Sequence, residues 1–457
     1  MLEDFKVRFY QILMASVDFF LVFLSFQVSV YVYRLIDSTT LTTSDFVAVS
    51  VSCVSLILLF FFDCYSLVKR KSLKFIFGNS FLALLLSNLP FLFIANPQVV
   101  FFSFIIQILL IGFIRYGWWS VSKIQSGQKK VWIISNDADE RNRNVNKLLN
   151  HASGWFELSG TISAKEYQTI NQYDSDLDAI LLCPSVKGEQ KDEVIQYFSH
   201  AKIEILLIPD FTDLLVATSH PQQLDDRMIY SIQPPYITKS NEISKRVFDL
   251  VISTILLVIS SPIMLFLYIL IPLTSKGSAL YLQERIGLNG KPYSIYKFRS
   301  MENNAEKMTG PTLAASNDPR VTSVGKWIRA TRLDELPQLF NVLRGDMSIV
   351  GPRPERDYFV KQFKDEIPEY EDRLTVKPGI TGLAQVLANY TTTVEDKLHY
   401  DLLYIRHYTL VLDIKILLQT LRVIVQRDQA QGVSIQSLVS PKDFALSPLK
   451  INKQHKA

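Results

Sequence analysis

Cysteine is scarce in this sequence, and neither sign of charge is in large excess. The 457 residues include three cysteines. Cys53, Cys64 and Cys183 lie far apart and match neither a zinc-ligand spacing nor a disulfide framework, so we expect free, inert thiols. Lysine and arginine number 48 against 44 aspartates and glutamates, a net charge of +4. This balance does not favour nucleic-acid binding, for which a basic excess is typical.

Residues 129–232 lack the glycine-rich turn of dinucleotide-binding proteins. Short β-rich runs at 131–134, 179–182 and 203–208 alternate with polar helical stretches, which predicts an α/β domain with a parallel sheet. The first run leads into Ser135-Asn136-Asp137, where glycines would let a diphosphate approach a helix. We therefore predict a Rossmann-like domain over 129–235 that binds no dinucleotide, with either a regulatory or a structural role.

Charge is almost absent from four apolar runs that are about long enough to span a bilayer as helices. They cover residues 12–33, 46–62, 75–94 and 99–114. We therefore predict a four-helix transmembrane bundle in residues 1–120. Asp18 is the one carboxylate well inside a run; such a group is a functional candidate by default, although it lies close enough to one end to reach water.

Basic residues collect in the predicted connections on one side of the bundle. They precede the first run, fill the connection between the second and third runs, and follow the fourth. The other two connections offer only Arg34. By the positive-inside rule, both ends of the bundle are predicted to face the cytoplasm.

A further apolar run at 247–273 is interrupted by a Ser-Ser-Pro sequence that contains Ser261 and Pro262. Pro262 lacks a backbone N–H and disfavours helical geometry at Ser261, so a bend is expected. Lys245 precedes the run and Lys276 follows it, which favours a cytoplasmic location for both ends. We predict a re-entrant helix-break-helix hairpin; the alternative is an ordinary kinked span.

Asp334 and Glu335 stand side by side before a predicted short helix. Pro337 suits the first turn of that helix and Gly345 its end, so the helix is predicted at 337–344. The positive end of a helix keeps carboxylates ionised and attracts phosphate. One carboxylate can then attack phosphorus while the other holds Mg²⁺. Taken alone, such a pair is more often a helix cap.

Four cations are candidates to surround the same phosphates. They are Lys297, Arg299, Arg329 and Arg353. Arginine can bind a phosphate through two parallel hydrogen bonds, and the prolines on either side of Arg353 stiffen its turn. A single exposed arginine is usually just solvated. Together with the carboxylate pair, these cations indicate a phosphate site.

Six motifs follow one another in the last part of the chain. They are Lys-Arg-x-Phe-Asp (245–249), Ser-Pro (261–262), Tyr-Lys-Phe-Arg-Ser-Met (296–301), Asp-Glu-Leu-Pro-Gln-Leu-x-Asn-Val-Leu (334–343), Met-Ser-Ile-Val-Gly-Pro-Arg-Pro (347–354) and Lys-Pro-Gly-Ile-Thr-Gly-Leu (377–383). On these motifs, residues 244–427 resemble the bacterial sugar transferase domain of the polyprenyl-phosphate hexose-1-phosphate transferases, the monotopic phosphoglycosyl transferases. The spans and α/β domain before it resemble the long form of that family.

The resemblance implies an α/β catalytic domain at 244–430, with the re-entrant hairpin at 247–273, followed by a tail at 431–457. Asp334 is expected to attack a UDP-sugar, with glucose or galactose as the sugar, and to form a phospho-sugar aspartyl intermediate with release of UMP. Undecaprenyl phosphate then accepts the sugar phosphate. Glu335 is expected to bind the Mg²⁺ cofactor, Arg329 and Arg353 to contact phosphate, and Asp401 to be a further acidic site. Arg332 departs from the family, where a small hydroxyl residue is expected.

The resemblance also implies a multi-pass protein of the bacterial inner membrane with a cytoplasmic catalytic domain, acting at the start of capsule, exopolysaccharide or O-antigen synthesis. Its partners are then UDP-sugar, undecaprenyl phosphate and membrane lipid, without nucleic acid, and a homo-oligomer is compatible with the sequence. The alternative is a catalytically degenerate membrane scaffold or nucleotide sensor of polysaccharide export, which should have lost the carboxylate pair.

Residues 398–425 are predicted to form an amphipathic helix or a pair of such helices, either at the membrane interface or on the domain core.

Overall fold

The computed structural model describes residues 2–36, 45–65, 72–151, 155–170, 176–302, 320–388 and 392–426. One compact unit contains the described residues within Met1–Gln125 and Phe211–Gln431, and a second contains those within Ser126–Asp210. Residues 211–235, predicted as part of the α/β domain, thus group with the first unit. The predicted tail at 431–457 and the basic connection at 66–71 lie outside the described residues.

The first part of the chain forms apolar helices. They are α1 (Leu2–Ile36), α2 (Asp45–Phe61), α3 (Leu73–Asn88, continued by a 3-10 turn, Leu89–Leu92) and α4 (Pro97–Ser126). Three of the predicted runs lie in helical stretches long and apolar enough to cross a membrane: Arg8–Ile36, Leu73–Leu92 and Pro97–Ile124. The second run forms a shorter apolar helix of 17 residues. Membrane association follows from these helices, whereas the sidedness of the bundle stays a prediction.

Asp18 of α1 does not reach water. Its carboxylate forms an ion pair with Arg115 of α4, and the two side chains are 1% and 3% exposed. An isolated charge is very costly in an apolar interior, and pairing offsets that cost. The pair therefore joins α1 to α4.

The second unit is built on a parallel sheet, in agreement with the predicted α/β pattern. Its elements are β1 (Lys129–Ile134), α5 (Ala138–His151), β2 (Phe156–Ile162), β3 (Ala179–Leu182), α6 (Glu189–His200) and β4 (Glu204–Leu207). The strand order is β2-β1-β3-β4, and every neighbouring pair is parallel. Buried side chains from β1 and β3, such as Ile134 and Ile180, pack with Val194 and Phe198 of α6.

The rest of the first unit is an α/β fold with short strands. Its elements are α7 (Phe211–Ala217), β5 (His220–Leu224), β6 (Arg227–Ser231), α8 (Lys239–Thr274), β7 (Leu280–Ile286), β8 (Pro292–Phe298), α9 (Ser323–Ala330), α10 (Gln338–Arg344), β9 (Ser348–Val350), α11 (Asp357–Glu366), β10 (Gly379–Thr381), α12 (Leu383–Leu387), α13 (Val394–Arg406) and α14 (Leu410–Gln426). Strands β7 and β8 are antiparallel, and β9 pairs with β10 in parallel. Val342, Ile349, Leu402 and Ile416 lie in its core.

Helix α8 corrects one prediction, because it continues through Pro262 instead of breaking into two helices. A proline at position 262 cannot donate to the carbonyl of Val258, four residues earlier. The Ser261 hydroxyl donates to that carbonyl instead, at 2.8 Å. By donating to this carbonyl, the Ser261 hydroxyl replaces the hydrogen bond that Pro262 removes from the helix.

Both ends of α8 contact the same α/β fold, that of the first unit. Before Pro262, Asp249 accepts a hydrogen bond from the backbone N–H of Ile349 in β9. After it, Leu267 and Ile271 are buried with Phe298 at the end of β8. The middle of the helix is exposed and apolar, with Val258 and Ile259 among the most exposed side chains. This arrangement is the one that a re-entrant helix requires, and re-entry itself stays a prediction.

Candidate active site

The two adjacent carboxylates lie in a 3-10 turn, Leu333–Glu335, between α9 and α10. Gly345 follows α10 with φ of 99°, a left-handed conformation that glycine adopts without strain, so α10 ends where the sequence predicted. Arg332, the residue that departs from the family pattern, has φ of 55°. A left-handed conformation is uncommon for arginine, and it turns the chain directly before Asp334.

Glu335 is the centre of a charged cluster. The Lys297 ammonium donates to Glu335 Oε1 at 3.3 Å, and Arg353 Nη2 lies 3.6 Å from the same oxygen. The side chains of Glu335 and Lys297 are 13% and 17% exposed, whereas that of Arg353 is 44% exposed. The cluster thus has a largely buried cation, Lys297, on one side and an accessible one, Arg353, on the other. The structure brings together three of the predicted site residues here.

The two carboxylates have different acidities. Burial raises the pKa of Asp334, helped by the negative charge of Glu335, to about 6. Burial acts in the same direction on Glu335, but Lys297 and Arg353 outweigh it and lower the pKa of Glu335 to about 2. The positive end of α10 therefore does not hold the pKa of Asp334 at the value of an ordinary aspartate. At neutral pH both groups are still mainly ionised, and Asp334 is the more basic.

Asn341 of α10 holds β8 beside the carboxylates. Its fully buried amide donates to the Ser294 carbonyl at 2.8 Å and accepts from the Tyr296 N–H at 3.0 Å. Lys297 follows Tyr296 directly, so this contact sets the strand that carries the lysine. Asn341 belongs to a motif noted in the sequence, but nothing in the sequence indicated its partner.

The start of α8 supports both segments of the site. Arg246 donates to the carbonyls of Val342 and Leu343 at 2.6 and 2.8 Å, at the end of α10. Lys245 donates to the Val350 carbonyl at 2.9 Å, at the end of β9. From the sequence, basic residues at this position were used only to predict the membrane sidedness of the helix, so their support of α10 and β9 was missed. The Lys-Arg-x-Phe-Asp motif was the only indication in the sequence that these residues have a further role.

Asp401 lies behind Arg353 and is paired with a second arginine. Arg373 Nη2 is 2.8 Å from the Asp401 carboxylate, and both side chains are nearly fully buried. The same nitrogen donates to the backbone carbonyl of Arg353 at 2.9 Å. Asp401 is thus connected to the cluster through Arg373 and through the backbone of the Gly-Pro-Arg-Pro turn.

The two remaining predicted cations occupy different places. Arg329, in the last turn of α9, is close enough to Asp334 to lower its pKa, against the larger effect of burial. Arg299 instead donates to the carbonyls of Ser275 and Lys276 at 2.7 and 2.9 Å, directly after α8. Carbonyls at a helix end need donors, and a buried guanidinium supplies them. The structure therefore does not bring Arg299 into the cluster around Glu335.

The carboxylate pair is compatible with a magnesium ion that is shared with a substrate. No group of three or more His, Cys, Asp or Glu side chains converges among the described residues. Mg²⁺ is commonly held by one or two carboxylates together with substrate phosphates and water, so a protein site with more ligands is not needed. Asp334 and Glu335 meet this requirement.

Comparison with known proteins gives consistent matches. The family model described as bacterial sugar transferase matches residues 240–427. The UDP-N-acetylgalactosamine-undecaprenyl-phosphate N-acetylgalactosaminephosphotransferase of Aeromonas hydrophila is 41% identical over 49% of this chain and 53% of that protein. The UDP-glucose:undecaprenyl-phosphate glucose-1-phosphate transferase of Klebsiella pneumoniae is 38% identical over 53% of this chain and 54% of that protein.

A shorter relative is covered more completely. The UDP-glucose:undecaprenyl-phosphate glucose-1-phosphate transferase of Caulobacter vibrioides is 42% identical over 41% of this chain and 72% of that protein. The chain spans about half the length of the first two relatives. On the family model and these matches together, the chain belongs to the bacterial sugar transferase family, whose curated members here are undecaprenyl-phosphate sugar-phosphate transferases.

Proposed function

We propose that this protein transfers a sugar 1-phosphate from a UDP-sugar to undecaprenyl phosphate, with Asp334 as the nucleophile. The observation that carries the proposal is the difference in acidity within the carboxylate pair. Asp334 has the higher pKa, about 6, and so is the better nucleophile while still ionised at neutral pH. Glu335 has a pKa of about 2 and stays charged.

In the first half-reaction, a carboxylate oxygen of Asp334 attacks the β-phosphorus of the UDP-sugar. The new bond joins this oxygen to phosphorus, and the bond from phosphorus to the oxygen bridging the two phosphates breaks. That oxygen leaves with the electron pair as part of UMP. Lys297, Arg329 and Arg353 oppose the charge on the phosphates, and Arg353 is accessible enough to contact a substrate directly.

In the second half-reaction, a phosphate oxygen of undecaprenyl phosphate attacks the same phosphorus. The bond to Asp334 breaks, which restores the carboxylate and gives the diphosphate-linked sugar that would start capsule, exopolysaccharide or O-antigen synthesis. Glu335 would hold a Mg²⁺ ion, which would supply positive charge to the phosphate oxygens. A lipid acceptor is consistent with a site built beside the apolar helix α8.

Relatives named for N-acetylgalactosamine, glucose and galactose all match the chain, so a panel of UDP-sugars is the substrate test. We expect purified protein with Mg²⁺ and the preferred UDP-sugar to release about one UMP per molecule, and to turn over only when undecaprenyl phosphate is added. Glucose and galactose are the sugars that we propose first.

The nucleophile is tested with Asp334→Asn, which keeps the size of the side chain and removes its charge. We expect no UMP burst and no sugar phosphate on the protein by intact mass, whereas Asp365→Asn on the exposed surface of α11 should behave as wild type. A burst of wild-type size from Asp334→Asn would refute the nucleophile. A wild-type protein without a burst for any UDP-sugar would favour the degenerate scaffold.

A further inference from the structure

Helix α14 uses two different faces. Asp413, Ile416, Thr420 and Val423 recur at spacings of three and four residues, and so lie along one side of the helix. Lys415, Leu418 and Arg422 recur in the same way. At 3.6 residues per turn, the second set lies on nearly the opposite side. A helix with two such faces can join two different structures.

The second face contacts the membrane bundle. The Lys415 ammonium donates to Asp63, just after α2, at 2.9 Å. The Arg422 guanidinium lies over the Phe75 ring of α3, 4.5 Å from its centroid. Leu418 packs against a buried apolar cluster of the bundle that includes Leu59, Phe62 and Leu82. An ion pair, a cation–π contact and an apolar contact thus join α14 to the bundle.

Asp63 has an unusual backbone conformation at the end of α2. Its φ is 61°, a left-handed conformation that usually favours glycine or asparagine at the end of a helix. The N–H of Cys64 bonds to the carbonyl of Leu59, as in a helix-terminating turn. Aspartate is less suited to this position than glycine, and its carboxylate is the group that binds Lys415. The turn that ends α2 therefore contains the side chain that binds Lys415.

The first face contacts the base of α8 and the strands of the active site. Asp413 accepts from the Lys245 ammonium at 2.8 Å, and Lys245 also donates to the carbonyl of Val350. The Thr420 hydroxyl is 2.7 Å from that of Thr381 in β10, which pairs with β9. Strand β9 leads within three residues to Arg353. Thus α14 is bonded both to the bundle and to the support of the cluster.

We propose that α14 is a bridge that fixes the α/β fold containing the carboxylate pair relative to the apolar helices α1–α4, the membrane bundle. Asp63 and Lys415 are then positioning residues, which hold the site at the depth where the lipid acceptor presents its phosphate. The proposal rests on the proposed function. UDP-sugar reaches the site from solution, whereas the phosphate of a polyprenyl lipid stays at the bilayer surface. Weakening the bridge therefore affects the acceptor half-reaction and spares the donor half-reaction.

The test uses full-length protein in lipid nanodiscs and the variant Lys415→Glu, which places two negative charges together. We expect the KM for undecaprenyl phosphate to rise about threefold to tenfold, the range of a partly exposed ion pair plus a like-charge contact. The UMP burst without acceptor should be unchanged. Lys415→Arg should retain the wild-type KM, and Lys361→Glu is the matched control because Lys361 pairs with Asp357 on an exposed surface of α11.

A double-variant comparison separates the pair from other effects of each residue. Asp63→Asn suits the left-handed conformation and removes the charge, and Lys415→Gln removes the other charge. If the two side chains act through each other, the double variant raises the KM no more than the worse single variant. An unchanged KM in Lys415→Glu, a burst that falls in parallel with turnover, or fully additive effects would each overturn the bridge.

Hydrogen exchange tests the bridge without reference to catalysis. Backbone amides of α14 should exchange faster in Lys415→Glu than in wild type, and Lys361→Glu should leave them unchanged. Equal exchange in all three proteins would overturn the bridge even if the transferase activity is confirmed. Faster exchange together with no UMP burst from wild type would refute the proposed function while supporting the contact itself.

Discussion

The apolar helices α1–α4 and the α/β fold that contains the carboxylate pair both bury charged side chains, but they balance the charges differently. Between α1 and α4, Asp18 and Arg115 form a pair of one anion and one cation that is almost closed to solvent. At the candidate active site, Asp334 and Glu335 lie among four cations, Lys297, Arg329, Arg332 and Arg353, and Arg353 remains accessible. A balanced, closed pair stabilises the contact between two helices. A cluster with extra positive charge and an accessible arginine can still bind an anion.

Removing one charge from the closed pair should give the largest effect on stability. Asp18→Asn leaves Arg115 buried without a counter-charge, and we expect the free energy of unfolding to fall by about 3–5 kcal/mol. Denaturant unfolding in detergent micelles measures the change. The UMP burst per folded molecule should stay at the wild-type value. The double variant Asp18→Asn with Arg115→Met should recover much of the loss, and a single variant as stable as wild type would contradict a structural pair.

Removing one charge from the open cluster should instead affect chemistry. Glu335→Gln frees Lys297 and Arg353 from their shared partner and takes away a carboxylate proposed to hold Mg²⁺. We expect the rate of UMP release to fall about 100-fold, the lower range for a buried charge interaction. The loss of stability should be smaller than in Asp18→Asn, because Asp334 still opposes the charge of Lys297 and Arg353 is accessible. Single-turnover kinetics measure the rate. Glu366→Gln on the exposed end of α11 is the control, and equal rates in the two variants would remove Glu335 from the mechanism.

The acidity of Asp334 predicts how the open cluster responds to pH. With a pKa raised to about 6, Asp334 gains a proton as pH falls, so the burst rate should drop tenfold for each pH unit below about 6. The donor half-reaction is the suitable measurement, since the diphosphate of a UDP-sugar does not titrate in this range and the lipid phosphate is absent. Glu335→Gln removes a negative neighbour and should move the acid limb to lower pH. A flat profile down to pH 4.5 would contradict the raised pKa.

The smallest effect on activity is expected from a change at Arg373, which supports the backbone of Arg353. Arg373→Lys keeps the positive charge opposite Asp401. The lysine has no Nε donor for Asp401, and its shorter side chain does not reach the position of Nη2, which donates to the Arg353 carbonyl. We expect the KM for UDP-sugar to rise about threefold to tenfold, the net value of one ordinary hydrogen bond, with the burst amplitude retained. A changed amplitude with an unchanged KM would indicate lost fold and not a displaced Arg353.

The sequence predicted the parts of the site that are close together along the chain. The adjacent carboxylates and the helix after them depend on local signals, Pro337 and Gly345, and the structure agrees within one residue. Lys297 and Arg353 were predicted from chemistry and do meet at Glu335. The supports were missed because they join distant residues: Lys245 and Val350 are 105 positions apart, and no local pattern specifies that distance. Arg299 was predicted to bind phosphate because it lies in a motif with Lys297. Its guanidinium instead donates to backbone carbonyls directly after α8, and no local pattern indicated that contact.

The ion pair between Asp63 and Lys415 joins residues 352 positions apart, which has a consequence for biogenesis. A ribosome adds roughly 5–20 residues per second, so Asp63 is made roughly 20 to 70 s before Lys415. During that interval, the bundle can enter the membrane and the second unit can fold, while the surface of the bundle that receives α14 stays uncovered. Docking of α14 is therefore among the last steps of assembly, and a chaperone or protease that acts on the unfinished protein has this surface available until then.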